Sequence, residues 1–273
     1  MSLAAADFGY LADLIHRRSA IVLESGKEYL AESRLESVAR ANGLKTVGEL
    51  VAGMRNGTVN VQDDVIDAMT TNETSFFRDI HPFNALRDTV LPEIIERQRA
   101  SRTLTIWCAA ASSGQEPYSI AMLLRDSFPE LRSWTVRIIA SDISPTMLER
   151  CRAGRYSQLE VNRGLPAPTL IKHMTRDGAA WVVSPELRSM ISTQQMNLAD
   201  SWPSLPKFDL IFMRNVLIYF DVPTKKQILG KVRQQLRPEG LLLLGGAETT
   251  MNLDASFERV PHGRSSWYRL NAQ

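Results

Sequence analysis

The chain has 273 residues, of which 44% are hydrophobic and 23% charged, a composition typical of a folded protein with a buried core. Its net charge of +2 is too balanced to indicate nucleic-acid binding by itself. Its two cysteines, Cys108 and Cys151, provide neither a disulfide framework nor a metal-binding spacing, so we expect no metal and a reducing compartment. Neither a long apolar run nor a signal-peptide pattern is found, which predicts a cytoplasmic protein without membrane insertion.

The first segment, residues 1–69, is predicted to form a small all-α domain. Leu11, Leu14 and Ile15 share one helical face, and glycines separate the short segments that follow. A linker is expected over residues 70–102, with one helix after Pro82 and another near Pro92.

The remaining segment, residues 103–273, alternates apolar strands with helices. This pattern predicts a mostly parallel sheet covered by helices on both faces, a Rossmann-like α/β fold. The predicted strands cover residues 104–108, 136–140, 191–196, 208–213 and 240–245, with a closing hairpin over 257–270. The rhythm is interrupted at about 155–190, where strands over 180–183 and 187–191 and the turn residues Asp177-Gly178 indicate a small inserted β subdomain.

Ligands of such sheets bind outside the carboxyl ends of the strands. The turn after the first strand, residues 109–116, contains small residues but only one glycine, Gly114. A pyrophosphate needs the close backbone approach that glycine permits, so this turn favours S-adenosylmethionine, which has no phosphate, over NAD. Asp142, at the second strand, could accept hydrogen bonds from the ribose hydroxyls or cap the next helix. We favour the ribose because Ser144 is the better cap.

Three further positions fall at the same edge of the sheet. Glu116 opens a helix, where its carboxylate is favoured by the helix dipole or could bind a donor of the cofactor, and the two interpretations stay open. Asn197-Leu198 and Arg214-Asn215 each follow a predicted strand.

Four sequence strings together resemble the CheR family of chemotaxis receptor methyltransferases. They are TNETSFFR at 71–78, WCAAASSGQEPYSIA at 107–121, SDIS at 141–144 and FDLIFMRNVLIYF at 208–220. The resemblance implies a helical N-terminal domain, a linker that contributes to the cofactor site, and an S-adenosylmethionine-binding domain with an inserted β subdomain.

The resemblance also implies roles for individual residues. The cofactor-binding positions carried over by motif are Asn72, Thr74, Arg78, Glu116, Asp142, Asn197, Leu198, Arg214 and Asn215. Tyr219 resembles a tyrosine beside the reacting methyl group. An arginine of the linker helix is also implicated in the family; Arg97 and Arg99 are both candidates for this catalytic position, and the sequence leaves the choice between them open.

The implied reaction is methyl transfer to glutamate side chains of chemoreceptors, giving methyl esters. A glutamate carboxylate is ionised at neutral pH, with a reference pKa of about 4.3, so no strong general base is needed. The partner would be the cytoplasmic helical region of the receptor, and Arg34 and Arg40 are the predicted docking residues. Residues 1–67 nevertheless hold ten acidic against seven basic side chains, so an ordinary solvated surface remains an open alternative.

The inserted subdomain departs from part of the family. Some members bind a peptide at the receptor's tail through a longer, glycine-bearing loop, where this chain has only residues 176–179. We therefore predict an enzyme that does not depend on a receptor tail peptide. The alternative functions are a nucleic-acid methyltransferase, which the near-neutral charge disfavours, an NAD-dependent oxidoreductase, and a non-catalytic S-adenosylmethionine sensor.

Overall fold

The computed structural model describes residues 3–271 and divides into two units. The first unit covers the chain up to Thr71 together with a short later segment, Tyr219–Thr224. Its helices are α1 (Ala5–Ser19), α2 (Glu28–Ala41), α3 (Val47–Arg55) and α4 (Gln62–Met69).

The helices of this unit bury one apolar face each. Leu11, Leu14 and Ile15 of α1 are buried, as their spacing predicted, and they share the core with side chains such as Leu35 and Leu50. The segment Tyr219–Thr224 is held by the Val22 amide, which donates to the Tyr219 carbonyl at 2.9 Å, and by a β-bridge between Ile21 and Phe220. The prediction of an all-α first part is confirmed.

The second unit is built on a seven-stranded sheet in the order β6-β2-β1-β7-β8-β10-β9. Its strands are β1 (Thr103–Ala109), β2 (Thr135–Asp142), β6 (Ile191–Gln195), β7 (Phe208–Met213), β8 (Leu236–Leu244), β9 (Phe257–Val260) and β10 (Ser266–Leu270). The first five are parallel to one another, and β9 and β10 add the predicted antiparallel hairpin beside β8. Every residue of β7 is buried, as expected for a central strand covered on both faces.

Helices connect the strands of this sheet. They are α5 (His81–Ala85), α6 (Leu91–Arg97), α7 (Gln115–Ser127), α8 (Pro145–Ala153) and α12 (Val222–Gln235), with 3-10 turns at Pro129–Ser133 and Leu217–Tyr219. The α/β prediction is therefore confirmed. No helix within the described part of the chain is long and apolar enough to span a membrane.

The inserted subdomain is a three-stranded antiparallel sheet in the order β3-β5-β4. Its elements are β3 (Arg155–Ser157), α9 (Gln158–Asn162), α10 (Ala167–His173), β4 (Met174–Asp177), β5 (Ala180–Val183) and α11 (Pro185–Ser189). The turn predicted at Asp177-Gly178 joins β4 to β5, and Gly178 has a positive φ of 60°.

One local prediction was wrong. Residues 187–190 are not a strand, because Ser184 and Pro185 begin the helix α11 and the Ser184 hydroxyl caps it, so that the next strand, β6, begins only at Ile191. The linker has the two predicted helices, α5 beside Pro82 and α6 beside Pro92, and a π-helical segment, Leu86–Val90, joins them. The Leu91 amide donates to the Leu86 carbonyl five residues earlier, which makes this turn wider than an α-helical turn. Pro92 follows directly and has no amide hydrogen to donate.

Candidate functional site

The turn between β1 and α7 adopts a backbone that only small or permissive residues accommodate. Ala110, Ser112 and Gly114 all have positive φ values, of 56°, 51° and 95°. A Cβ atom on Gly114 would lie 2.6 Å from the Cys151 Sγ atom, so packing as well as φ requires glycine there. The small-residue composition of the turn therefore reflects a tight curve and the close approach of α8.

Asp142 ends β2, and its carboxylate faces this turn. One oxygen accepts a hydrogen bond from the Ser112 amide at 2.8 Å, and the other accepts from the Ser144 amide at 2.9 Å. Ser144 caps α8 as predicted, since its hydroxyl accepts from the Met147 amide. The ribose role of Asp142 remains a prediction.

The linker segment 72–78 contacts the same turn. The Ser112 hydroxyl donates to the Asn72 carbonyl at 2.9 Å, and the Phe77 amide donates to the Ser119 hydroxyl of α7 at 2.9 Å. Phe76 is fully buried. Thr74 is half-buried in this segment. The structure thus places Asn72 and Thr74 on a segment that is tied to the β1 turn and to α7.

Arg214 and Glu116 form a buried ion pair at the carboxyl ends of β7 and β1. The Arg214 Nη1 atom lies 2.8 Å from the Glu116 Oε2 atom, and the Arg214 side chain is 3% exposed. Its Nη2 atom donates to the Arg78 carbonyl at 2.9 Å and to the Asp79 carboxylate at 2.8 Å. Burial raises the pKa of Glu116, and the charge and hydrogen bond of Arg214, with a smaller contribution from Arg78, oppose that rise.

This pair gives Glu116 a partner that neither interpretation included, and its cofactor role stays a prediction. The carboxylate is not merely placed at a helix start, because it is bonded to a side chain 98 residues away in sequence. Arg78 donates from Nη1 to the Glu73 carbonyl at 2.9 Å, and its charge acts on Glu116. Arg214 therefore joins the linker, α7 and β7 in one polar cluster.

Asn215 follows Arg214 in a left-handed conformation, with a φ of 57°. Its amide donates to the Glu248 carboxylate at 2.8 Å. Within the described residues, the buried Nε atom of Arg214 and the buried Oδ1 atom of Asn215 have no hydrogen-bond partner. Buried polar atoms rarely stay unsatisfied, so a polar ligand that reaches them would fit this end of β7.

Glu248 was missed by sequence reasoning. It lies four residues beyond β8, shortly after Gly245 and Gly246, and its sequence signal was an acidic residue just past the carboxyl end of a strand. Its carboxylate is buried and accepts hydrogen bonds from the backbone around Asn215.

Asn197 and Leu198 form a turn after β6, the strand that pairs with β2. The Asn197 side chain accepts from the Ala199 amide at 3.0 Å and donates to Asp200 at 2.9 Å. The Leu198 carbonyl accepts from the Lys231 ammonium at 2.6 Å and from the Trp202 indole at 3.1 Å. These bonds fix the turn at the same edge of the sheet as Asp142.

Arg97 lies near the amino end of β7, away from the predicted cofactor residues, and its catalytic role stays a prediction that this position does not favour. Its Nε atom is 3.1 Å from a carboxylate oxygen of Glu239, and the neighbouring Gln98 donates to Asp209, the second residue of β7. A strand rises about 3.3 Å per residue, so Asp209 and Arg214 are roughly 16 Å apart along β7. Arg99 pairs with Glu96 on the surface of the same helix end. Arg78 is instead the linker arginine beside the predicted cofactor residues.

The remaining predicted residues belong to the first unit. Tyr219 is half-buried at the end of a 3-10 turn, six residues after β7. Arg34 donates to the Met69 and Thr70 carbonyls at 2.7 and 3.1 Å, so it ties α2 to the end of α4. Arg40 is exposed and pairs with Glu36, the i, i+4 partner expected from the sequence.

Among residues 3–271, no cluster of acidic, histidine or cysteine side chains could hold a metal ion.

Two family models match the chain. The model described as the all-alpha domain of CheR methyltransferase covers residues 6–70, and the model described as its SAM binding domain covers residues 72–265. The second model alone accounts for more than half of the chain, and the two models meet between α4 and the linker.

Curated relatives are similar over nearly the whole chain. Chemotaxis protein methyltransferase 1 of Pseudomonas aeruginosa is 40% identical, with 98% of this chain and 99% of the relative covered. Chemotaxis protein methyltransferase Cher2 of Pseudomonas putida is 40% identical over 95% and 96% of the two chains. Chemotaxis protein methyltransferase 1 of Vibrio cholerae is 38% identical over 94% of both chains.

Among solved structures, the glycopeptide N-methyltransferase MtfA complexed with sinefungin is 14% identical over 64% of this chain and 52% of that chain. Its TM-score is 0.37, and this likeness is too weak to support a conclusion.

Proposed function

This chain belongs to the CheR methyltransferase family, and we propose that it transfers the methyl group of S-adenosylmethionine to glutamate side chains of chemoreceptors, giving methyl esters. The observation that carries the proposal is the polar cluster at the carboxyl ends of β1, β2 and β7. There Asp142 accepts from the turn that the linker contacts, and Glu116 pairs with Arg214, which Asn215 follows in the chain. S-adenosylmethionine is the cofactor of the family's larger domain, and this cluster supplies donors and acceptors suited to its ribose and amino-acid tail.

The reaction needs orientation more than acid–base catalysis. When bound, S-adenosylmethionine supplies an electrophilic methyl group, and a glutamate oxygen forms the new C–O bond as the C–S bond breaks and its electron pair goes to sulfur. The chain's own residues fix the geometry and exclude water. Asp142 would accept the ribose hydroxyls, and the Arg214–Glu116 pair would order the linker over the amino-acid tail. Tyr219 would act beside the methyl group.

Receptor docking is proposed for the helical unit. Arg40 on α2 is exposed and can face receptor carboxylates, whereas Arg34 is engaged with the carbonyls at the end of α4. We retain both residues as docking candidates and expect Arg40 to contribute more directly. The two-residue connection between β4 and β5 supports the proposal that no receptor tail peptide is required.

The decisive experiment is methyl transfer from labelled S-adenosylmethionine to membranes that contain a chemoreceptor. The label should appear on the receptor and should be released as methanol by base, because glutamyl methyl esters are hydrolysed by alkali. A Tyr219→Phe variant keeps the ring and removes one hydroxyl, and we expect lower kcat with nearly unchanged cofactor affinity. Tight cofactor binding without label on any receptor would contradict the enzymatic proposal and favour a sensor.

The tail proposal has its own test. A receptor without its C-terminal tail should be methylated at the rate of the intact receptor. A large loss of rate on removal of the tail would show that tail recognition is needed.

A further inference from the structure

The Glu248 carboxylate accepts hydrogen bonds from backbone amides of two segments, the loop after β7 and the end of β8. One oxygen accepts from the amides of Asn215 and Gly245, at 2.8 and 2.7 Å. The other accepts from the amides of Val216 and Ile218, at 2.9 and 3.3 Å. The residue is buried, with 7% of its surface exposed. It therefore joins the end of β8 to the residues that follow β7.

The surrounding backbone is shaped to this carboxylate. Asn215 has a positive φ of 57°, a conformation that asparagine tolerates better than most residues. A Cβ atom on Gly245 would lie 2.7 Å from a Glu248 oxygen and 2.9 Å from the Asn215 amide nitrogen. Glycine at this position thus leaves the space in which the loop and the carboxylate meet.

Only a carboxylate fits this arrangement. Each oxygen faces two N–H donors, and a carboxamide has one acceptor end and one donor end. In a glutamine side chain either orientation would turn an NH₂ group toward two amides. A change of a single atom therefore breaks half of the anchor while it preserves the size and shape of the side chain.

We infer that Glu248 is a positioning residue for the cofactor site: it holds the backbone of residues 215–218 so that Arg214 and Asn215 project from the carboxyl end of β7. Among the described residues, the Asn215 Oδ1 atom has no hydrogen-bond partner and lies on a residue held in this way, and the Arg214 Nε atom, also without a partner, lies on the residue directly before it. The inference rests on the proposed cofactor roles of these two residues, but it does not depend on the identity of the methyl acceptor. Glu248 acts through the loop it anchors.

The test compares Glu248→Gln in the full chain with a matched control, Glu258→Gln, on the exposed hairpin strand β9. Calorimetry with S-adenosylmethionine should give a Kd at least tenfold higher for Glu248→Gln and an unchanged Kd for the control. Hydrogen exchange should accelerate in peptides that cover residues 214–218 and 245, and not in β1 or β2. A second variant, Gly245→Ala, disturbs the same anchor from the strand side and should give the same pattern.

Three results would overturn the inference. They are a Kd within twofold of the parent protein in Glu248→Gln, exchange that accelerates over the whole sheet, and failure of both variants to fold, which would make the residue a determinant of stability alone. The proposed function fails differently, through a parent protein that binds the cofactor and methylates no receptor. Unchanged cofactor affinity in Asn215→Ala would separately remove the cofactor role of that residue.

Discussion

The guanidinium of Arg214 donates to the carboxylate of Glu116 at 2.8 Å, and both side chains are largely buried. The contact joins residues 98 positions apart, one after β7 and the other at the start of α7. Removal of one partner from a buried ion pair typically costs about 3–5 kcal/mol, because the other charge is left without compensation. The second carboxylate partner of Arg214, Asp79, is half-exposed and contributes less.

Arg214→Met should therefore destabilise the protein in a pH-dependent manner. Burial already raises the pKa of Glu116, and loss of the arginine should raise that pKa further. Protonation removes the buried charge, so the penalty should be small below the unfolded-state pKa of about 4.3 and should grow as pH rises through the folded-state pKa. Thermal unfolding should show a larger loss of Tm at pH 8 than at pH 5. The double variant Glu116→Gln, Arg214→Met should lose this difference. Equal Tm losses at the two pH values would show that Glu116 is not the group left unpaired.

Asp142→Ala should weaken cofactor binding. Loss of a charged acceptor for two hydroxyls, and of its bond to the Ser112 amide, should cost about 1–3 kcal/mol, roughly 5- to 150-fold in Kd. Titration calorimetry measures this change directly. Asp177→Ala, in the exposed β4–β5 hairpin, is the control and should bind normally. Unchanged affinity in a folded Asp142→Ala protein would remove Asp142 from the site.

Alanine substitution at Arg78 should weaken cofactor binding, whereas alanine substitution at Arg97 should leave it unchanged. Arg78 lies beside Glu116 and Arg214, so Arg78→Ala should raise the cofactor Kd by on the order of tenfold, with a smaller effect on Tm. Arg97 lies near the amino end of β7, opposite to the carboxyl end where Arg214 lies. Its ion pair with Glu239 is partly exposed and worth about 0–1 kcal/mol. Arg97→Ala should thus keep both cofactor affinity and methyl transfer. A large loss of transfer in Arg97→Ala, with normal stability, would support its predicted catalytic role.

Receptor docking should depend on charge at α2. Arg40→Glu should lower receptor methylation modestly without loss of Tm, because the side chain is exposed and its bond to Glu36 lies on the surface. Arg34→Glu should lower Tm as well, since it removes bonds to the carbonyls that end α4. The double variant should lose more methylation, and salt should weaken transfer because the Debye length is about 8 Å at physiological ionic strength.

The control for docking is cofactor affinity, which should persist in Arg40→Glu and in the double variant. Full methylation by both proteins at ordinary salt would exclude docking through these arginines. The acidic side chains of the helical unit would then need another explanation.

Local sequence predicted most of the secondary structure and indicated that the candidate site residues follow the carboxyl ends of the strands. The apolar run of β7 and the small residues after β1 are signals carried by consecutive residues, and both were interpreted correctly. The strand expected over 187–191 failed because a serine–proline cap outweighed the apolar pattern.

Only the tertiary structure decided which side chains meet. Strand order places β7 beside β1, and this brings Arg214 to Glu116 at the carboxyl ends of the two strands. Arg97 lies near the amino end of β7 instead, where it pairs with Glu239. The anchoring of Asn215 by Glu248 likewise depends on the pairing of β7 with β8. Sequence periodicity records which face of an element is buried, whereas contacts between distant residues depend on the order and register of the strands, which no local pattern contains.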